Sequence, residues 1–173
     1  MKGVIVKCLE ELVITKFGKE KWEQSLEDVG QKKNMVFYIL SDVEDATVIK
    51  LVEAVCKNLN LTLSQATDAF GDYWINNYSQ DIYKIYYKKN KTAKEFMLNM
   101  DDLHITMTKT IENAKPPRFT FEWKDDKTLV VHYNSHRGLI DFAIGLTKGV
   151  GKYYKENLEV KKLSPDKFQI VFN

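Results

Sequence analysis

Two short stretches of this chain hold side chains whose types and spacing could do chemistry. The first surrounds His104. Spacing predicts a single helix of about five turns over Thr92–Ile111. Thr92 and Glu95 have capping-box spacing at its start. Phe96, Met97, Met100, Leu103, Met107 and Ile111 recur at three and four and fill one face, while Lys94, Asn99, Asp102 and Lys109 lie mostly off it. His104 falls on the apolar face among Met97, Met100, Met107 and Ile111. A neutral imidazole among soft thioethers has a ring nitrogen to offer a buried metal or a flat cofactor. The same pattern also describes an ordinary core histidine, and the helix alone does not separate the two.

The second stretch is Tyr133-Asn134-Ser135-His136-Arg137. In extended chain Tyr133, Ser135 and Arg137 point to one side, presenting two hydroxyls and a guanidinium. Such a set suits one or two carboxylates beside an apolar cavity. A polar strand end facing water is the competing reading. His132 and His136 alternate to the other side and do not join the set. No Ser/His/Asp arrangement, paired carboxylates or phosphate-cradling glycine loop is present, and Gly145, Gly149 and Gly151 lie inside a helical pattern, so an enzyme is not expected. Lys84, Lys88, Lys89, Lys91 and Lys94 interleave with Tyr83, Tyr86 and Tyr87. Basic residues among aromatics can bind single strands, but the expectation is a solvated helix end, with no nucleic-acid partner.

The elements that must position these residues follow from the pattern. Val4, Ile5, Cys8, Leu9, Leu12 and Val13 predict a helix over 3–17. Trp22 and Leu26 suggest a second helix, closed at Gly30. After the start signal at Ser41–Asp45, Val48, Leu51, Val52, Val55, Cys56 and Leu59 predict a third. Thr62 or Ser64 caps a fourth, through Phe70, Tyr73 and Trp74. Pro116 and Pro117 end the helical half. Arg118–Trp123 and Thr128–Asn134 then read as a hairpin turning at Asp125-Asp126, followed by a helix over 138–155 and a hairpin of Leu158–Leu163 with Phe168–Phe172. The fold class is α+β.

Length and charge narrow the class further. The 173 residues, 44% hydrophobic and 29% charged, describe a soluble globular chain. A net charge of +2 gives no global pull toward nucleic acid or anionic lipid. No signal-peptide core and no membrane-length apolar run occurs, and Cys8 and Cys56 read as reduced thiols, so the expected location is cytoplasmic, with no membrane partner. With no Cys-x-x-Cys and three scattered histidines, a structural zinc site is not expected.

Together, Tyr133-x-Ser135-x-Arg137, His104 on the preceding helix, Met1-Lys2-Gly3, Phe70-Gly71 and Pro116-Pro117 resemble the H-NOX family, haem nitric oxide/oxygen binding domains related to the sensor domain of soluble guanylate cyclase. The resemblance spans essentially the whole chain. It implies a haem b buried between a distal helical subdomain, residues 1–60, and a proximal helix plus β-rich subdomain, residues 61–173. His104 is then the proximal iron ligand, and Tyr133, Ser135 and Arg137 clamp the propionates. Pro117 and Ile5 press on the porphyrin, Met100 and Leu103 line its cofactor site, and Gly71 is a position where helical segments shift. Oxygen-binding members carry a distal tyrosine nine residues after the first tyrosine of the clamp; here that position is Phe142.

An apolar distal pocket of Leu9, Phe70, Trp74, Tyr78, Phe142 and Leu146 implies binding of NO, with CO also accepted and oxygen discriminated against. The indole of Trp74 and the hydroxyls of Tyr73 and Tyr78 are the donors that oppose strict oxygen exclusion. NO binding would weaken the bond to His104 and shift the two halves, and a bacterial partner in trans, a histidine kinase or a cyclic-di-GMP enzyme, would read the change. The alternatives are an oxygen- or CO-sensing haem protein, or a non-haem module of the same fold holding a small carboxylate or lipid through Arg137.

Overall fold

The computed structural model describes residues 1–173. Two compact units divide the chain, Met1–Ala66 and Thr67–Asn173.

In the first unit the apolar stripe of residues 3–17 forms α1 (Gly3–Phe17), burying Val6, Cys8, Leu9, Leu12 and Val13. Gly18, at φ 93°, lets the chain leave α1 and enter α2 (Lys19–Asp28) directly. Trp22 and Leu26 are the core side chains of α2, which packs on α1 and on α3 (Asp45–Leu59). Left-handed Asn60 closes α3, with the Leu61 N–H bonding back to the Cys56 carbonyl at 2.9 Å.

The second unit opens with most of α4 (Leu63–Tyr73). Thr62 and Gln65 cap this helix reciprocally: the Gln65 N–H donates to Thr62 Oγ1 and the Thr62 N–H to Gln65 Oε1. α4 runs into a π-helical turn (Trp74–Tyr78) and then α5 (Gln80–Lys89). α6 (Ala93–Leu98) starts at Thr92, whose hydroxyl accepts from the Glu95 N–H as expected.

The single helix expected over 92–111 is corrected at two points. Asn99, at ψ near 0°, interrupts it, and its amide donates to the Asn90 side chain at 2.7 Å. Helical bonding resumes in α7 (Met100–Thr108), with the Leu103 N–H on the Asn99 carbonyl. α7 ends early because the chain turns at 108–113, where Asn113 adopts φ 57° ahead of Pro116-Pro117. Ile111 therefore leaves the helical stripe.

β1 (Arg118–Trp123) and β2 (Thr128–Asn134) form the first hairpin, its turn held by Asp125 Oδ1 accepting the Lys127 and Thr128 N–H groups. α8 (Ile140–Tyr154) follows, then β3 (Leu158–Ser164) and β4 (Lys167–Phe172). The sheet is antiparallel, order β1-β2-β4-β3. Its core side chains include Phe119, Leu129, Val131, Tyr133, Phe168 and Ile170. α4 and α8 cross backbone to backbone: a Cβ on Gly145 would lie 2.1 Å from the Thr67 carbonyl oxygen, and one on Gly71 2.1 Å from the Gly145 carbonyl. Only glycine leaves room for that crossing.

Candidate functional site

His104 sits on α7, one turn after Asp101. The residue is half-buried, yet its Nδ1 is sealed from solvent and has no hydrogen-bond partner. Burial pushes the imidazole down to about 4; the Asp101 carboxylate opposes that shift and the Arg118 charge adds to it. The ring is therefore neutral at ordinary pH and keeps a lone pair for a ligand. It stacks on Phe119 of β1, ring centroids 5.5 Å apart and planes 19° apart. Asp101 fastens α7 to the same strand. Its carboxylate accepts Arg118 Nε at 2.8 Å, Arg118 Nη2 at 2.6 Å and the Phe119 backbone N–H at 2.8 Å. The Arg118 bond is the main reason the Asp101 carboxyl lies below the usual carboxylate range. On the other side, the Thr108 hydroxyl donates to the His104 carbonyl at 2.6 Å.

Phe119 leads on to the second constellation: its ring lies 5.8 Å from that of Tyr133. Burial raises the Tyr133 phenol, while a hydrogen bond with Ser135, the Leu139 backbone and the Arg137 charge pull the other way. Tyr133, Ser135 and Arg137 are thus brought together, but not by strand alternation. β2 ends at Asn134, and Ser135–Gly138 is a turn, with Gly138 at φ 64°. The Arg137 N–H bonds to Ser135 Oγ at 3.3 Å, and its guanidinium donates to the Lys115 carbonyl at 2.5 Å, beside Pro116-Pro117. Pro117 is half-buried two residues before Phe119.

The distal candidates of this unit form an aromatic run. Phe70, on α4, meets Phe142 of α8 edge-on at 5.2 Å and 75°. Phe70 also stacks on Trp74 at 5.9 Å, and Trp74 lies 5.7 Å from Tyr78. The π turn that carries Trp74 and Tyr78 widens the helix at this point. Trp74, Leu146, Met100 and Leu103 are half-buried against the unit's core. Ile5 and Leu9 belong to α1 of the first unit, Ile5 half-buried and Leu9 buried.

The family model described as Haem-NO-binding matches residues 2–162. The chain belongs to this family, the H-NOX domains. It is similar to soluble guanylate cyclase gcy-34 of Caenorhabditis elegans, 31% identical over a 160-residue alignment that covers 88% of this chain and 23% of that protein. The chain thus spans less than a quarter of the length of the first curated relatives it matches. Among solved structures it superposes on an H-NOX protein from S. oneidensis in the Fe(II)NO ligation state (TM-score 0.87, 20% identity, 100% of this chain and 98% of that one). It also superposes on an oxygen-binding H-NOX domain in its oxygen complex (TM-score 0.80, 24% identity, 100% and 95%). These two likenesses establish the fold.

The residues of this H-NOX domain fit the family's prosthetic group. The buried imidazole has an unsatisfied nitrogen, and no cluster of three or more His, Cys, Asp or Glu side chains is placed to hold a metal. A lone imidazole would suit an iron whose remaining donors come from a macrocycle. The sequence did not reveal Phe119 and Asp101. Asp101 stands one turn before His104, and the Phe119/Phe121/Trp123 alternation was visible, but the pairing of α7 with β1 was not.

Proposed function

We propose that this H-NOX domain is a gas sensor that binds nitric oxide at a His104-ligated ferrous haem b and regulates a separate signalling protein. The observation that carries the NO preference is Phe142. A phenyl ring, edge-on to Phe70, stands where oxygen-binding members place a tyrosine hydroxyl. Bound haem would supply an iron able to take up a diatomic gas. Phe70, Phe142 and Leu146 would line that side without a hydroxyl. A bound dioxygen is strongly polarised and needs a donor; NO needs one far less.

In this reading residues 1–60 are the distal and 61–173 the proximal subdomain. His104 would hold the iron, and Tyr133, Ser135 and Arg137 would hold the propionates, with Pro117, Met100 and Leu103 against the ring. His104 also starts the signal. A pull on its imidazole is a pull on α7, and Asp101 passes it to Arg118 and Phe119 at the head of β1. The partner that reads the shift is a histidine kinase or a cyclic-di-GMP enzyme.

The test is the absorption spectrum of the ferrous, haem-loaded protein under NO, CO and air. NO and CO complexes with no stable oxy form are expected; a stable oxy complex overturns the assignment. An oxygen-sensing reading is favoured by the indole of Trp74 and the hydroxyls of Tyr73 and Tyr78. Trp74→Phe and Tyr78→Phe would then abolish an oxy complex that the parent protein forms.

A further inference from the structure

The basic face of the stretch 80–91 has no part in the site described above. α5 turns Tyr83 and Tyr87 inward. Tyr87 is 3% exposed, bonds through its hydroxyl to Ser79 at 2.7 Å, accepts the Tyr154 hydroxyl on its carbonyl and stacks on Phe96 at 5.1 Å. Tyr83 faces Trp74 at 6.3 Å. These two rings are therefore withheld from the bases of a single-stranded nucleic acid. The same anchoring prevents α5 from rolling to bury its outer face. That face carries Ile82 at 45% and Ile85 at 74% exposure, the latter the most exposed large hydrophobic side chain of the chain.

Around the two isoleucines stand Lys84, Lys88 and Lys89, with Lys91 just beyond the helix, all exposed. None of these four lysines is in an ion pair, whereas Lys148, Lys152 and Lys162 are each paired with an aspartate. Asp81 is the only acidic residue of α5. The local charge is strongly positive on a chain of net charge only +2.

We infer that the outer face of α5 and the following loop form a contact surface for an anionic lipid membrane. The charge calls for an anionic occupant, and the isoleucines call for one with an apolar interior. Two features favour lipid over an acidic protein segment. The surface is the convex side of a single helix, which suits a plane. Its cations are all lysines, compact and strongly hydrated, without the fork by which arginine grips individual carboxylates. Lysines near an anionic leaflet act additively and are screened by salt. Their stems let the ammonium groups stay among headgroups while Ile82 and Ile85 enter the boundary. This contact is peripheral, since no helix is long and apolar enough to cross a membrane.

The experiment is co-sedimentation of the haem-loaded protein with phosphatidylcholine vesicles, with and without about 30 mol% phosphatidylglycerol. Binding is expected only to the anionic vesicles, falling steeply with added salt. The Lys84→Gln/Lys88→Gln/Lys89→Gln variant should lose about a hundredfold in partitioning, at about fivefold per charge. Ile85→Ser should weaken the salt-resistant remainder about tenfold. Neutralising the exposed Lys50, Lys57 and Lys161 instead should cost far less. Equal binding to both vesicle types, no binding to either, or equal losses from the two lysine sets would overturn the inference. So would binding to poly-L-glutamate without binding to anionic vesicles, which would make the occupant an acidic protein segment. The haem spectrum is read separately, so failure here is distinguishable from failure of the gas-sensing assignment.

Discussion

At the scale of single residues, His104 is defined by what it lacks. Its Nδ1 is buried without a hydrogen-bond partner, a state that costs free energy in the haem-free chain. His104→Ala should abolish normal haem ligation; an unchanged ferrous spectrum in that variant would defeat the assignment. Phe142 decides a different question. Phe142→Tyr adds one hydroxyl beside Phe70 and should move the domain toward a stable oxy complex, seen as a slower loss of the oxy spectrum in air. If the tyrosine variant handles oxygen as the parent does, gas selectivity lies elsewhere in the aromatic run, with Trp74 and Tyr78 the next residues to change.

At the scale of elements, two contacts carry the architecture. Asp101 joins α7 to β1 through Arg118 and the Phe119 N–H. Asp101→Ala should cost about 1 kcal/mol, chiefly through loss of the acceptor for the part-buried Phe119 N–H, because the Arg118 end of the pair is screened by solvent. If the contact also holds His104 in place, haem should dissociate faster from the variant in a transfer assay. The crossing of α4 and α8 is steric. Gly145→Ala would set a methyl 2.1 Å from the Thr67 carbonyl oxygen, a backbone atom that cannot step aside alone. A loss of about 3 kcal/mol or more is expected, read as a lowered melting temperature. A variant of unchanged stability would mean the two helices part easily, and the crossing would then be a sliding joint.

At the scale of the whole molecule, the buried imidazole sets a pH dependence for the haem-free chain. Its folded pKa, about 4, lies below the ordinary value of 6.5, so the unfolded chain binds the extra proton first. The stability tied to a neutral His104 is present above about pH 6.5 and is lost as pH falls toward 4, by up to about 3 kcal/mol. Asp101, held below the usual carboxylate range, adds a loss of the same sign at lower pH. Urea melts at neutral pH and near pH 4 should show this slope in the parent and a shallower one in His104→Gln. Identical slopes would place the histidine in a wetter environment than its Phe119 stack and sealed Nδ1 indicate.

Periodicity alone located α1, α3, α8 and both hairpins, because a three-and-four or alternating pattern is a local property that each segment carries by itself. The candidate site residues were named from short-range spacings, His104 on its apolar face and Tyr133-x-Ser135-x-Arg137, and only the family resemblance chose the haem reading over a core histidine and a polar strand end. The kink at Asn99, the early end of α7 and the turn that delivers Arg137 were not. Each depends on side-chain bonds or φ values that compete with a pattern still readable as helix or strand. The stack of Phe119 on His104 and the Asp101–Arg118 bond were beyond reach for a different reason. They join residues 15 and 17 apart on two elements, and only the packing of α7 against β1 brings those residues together.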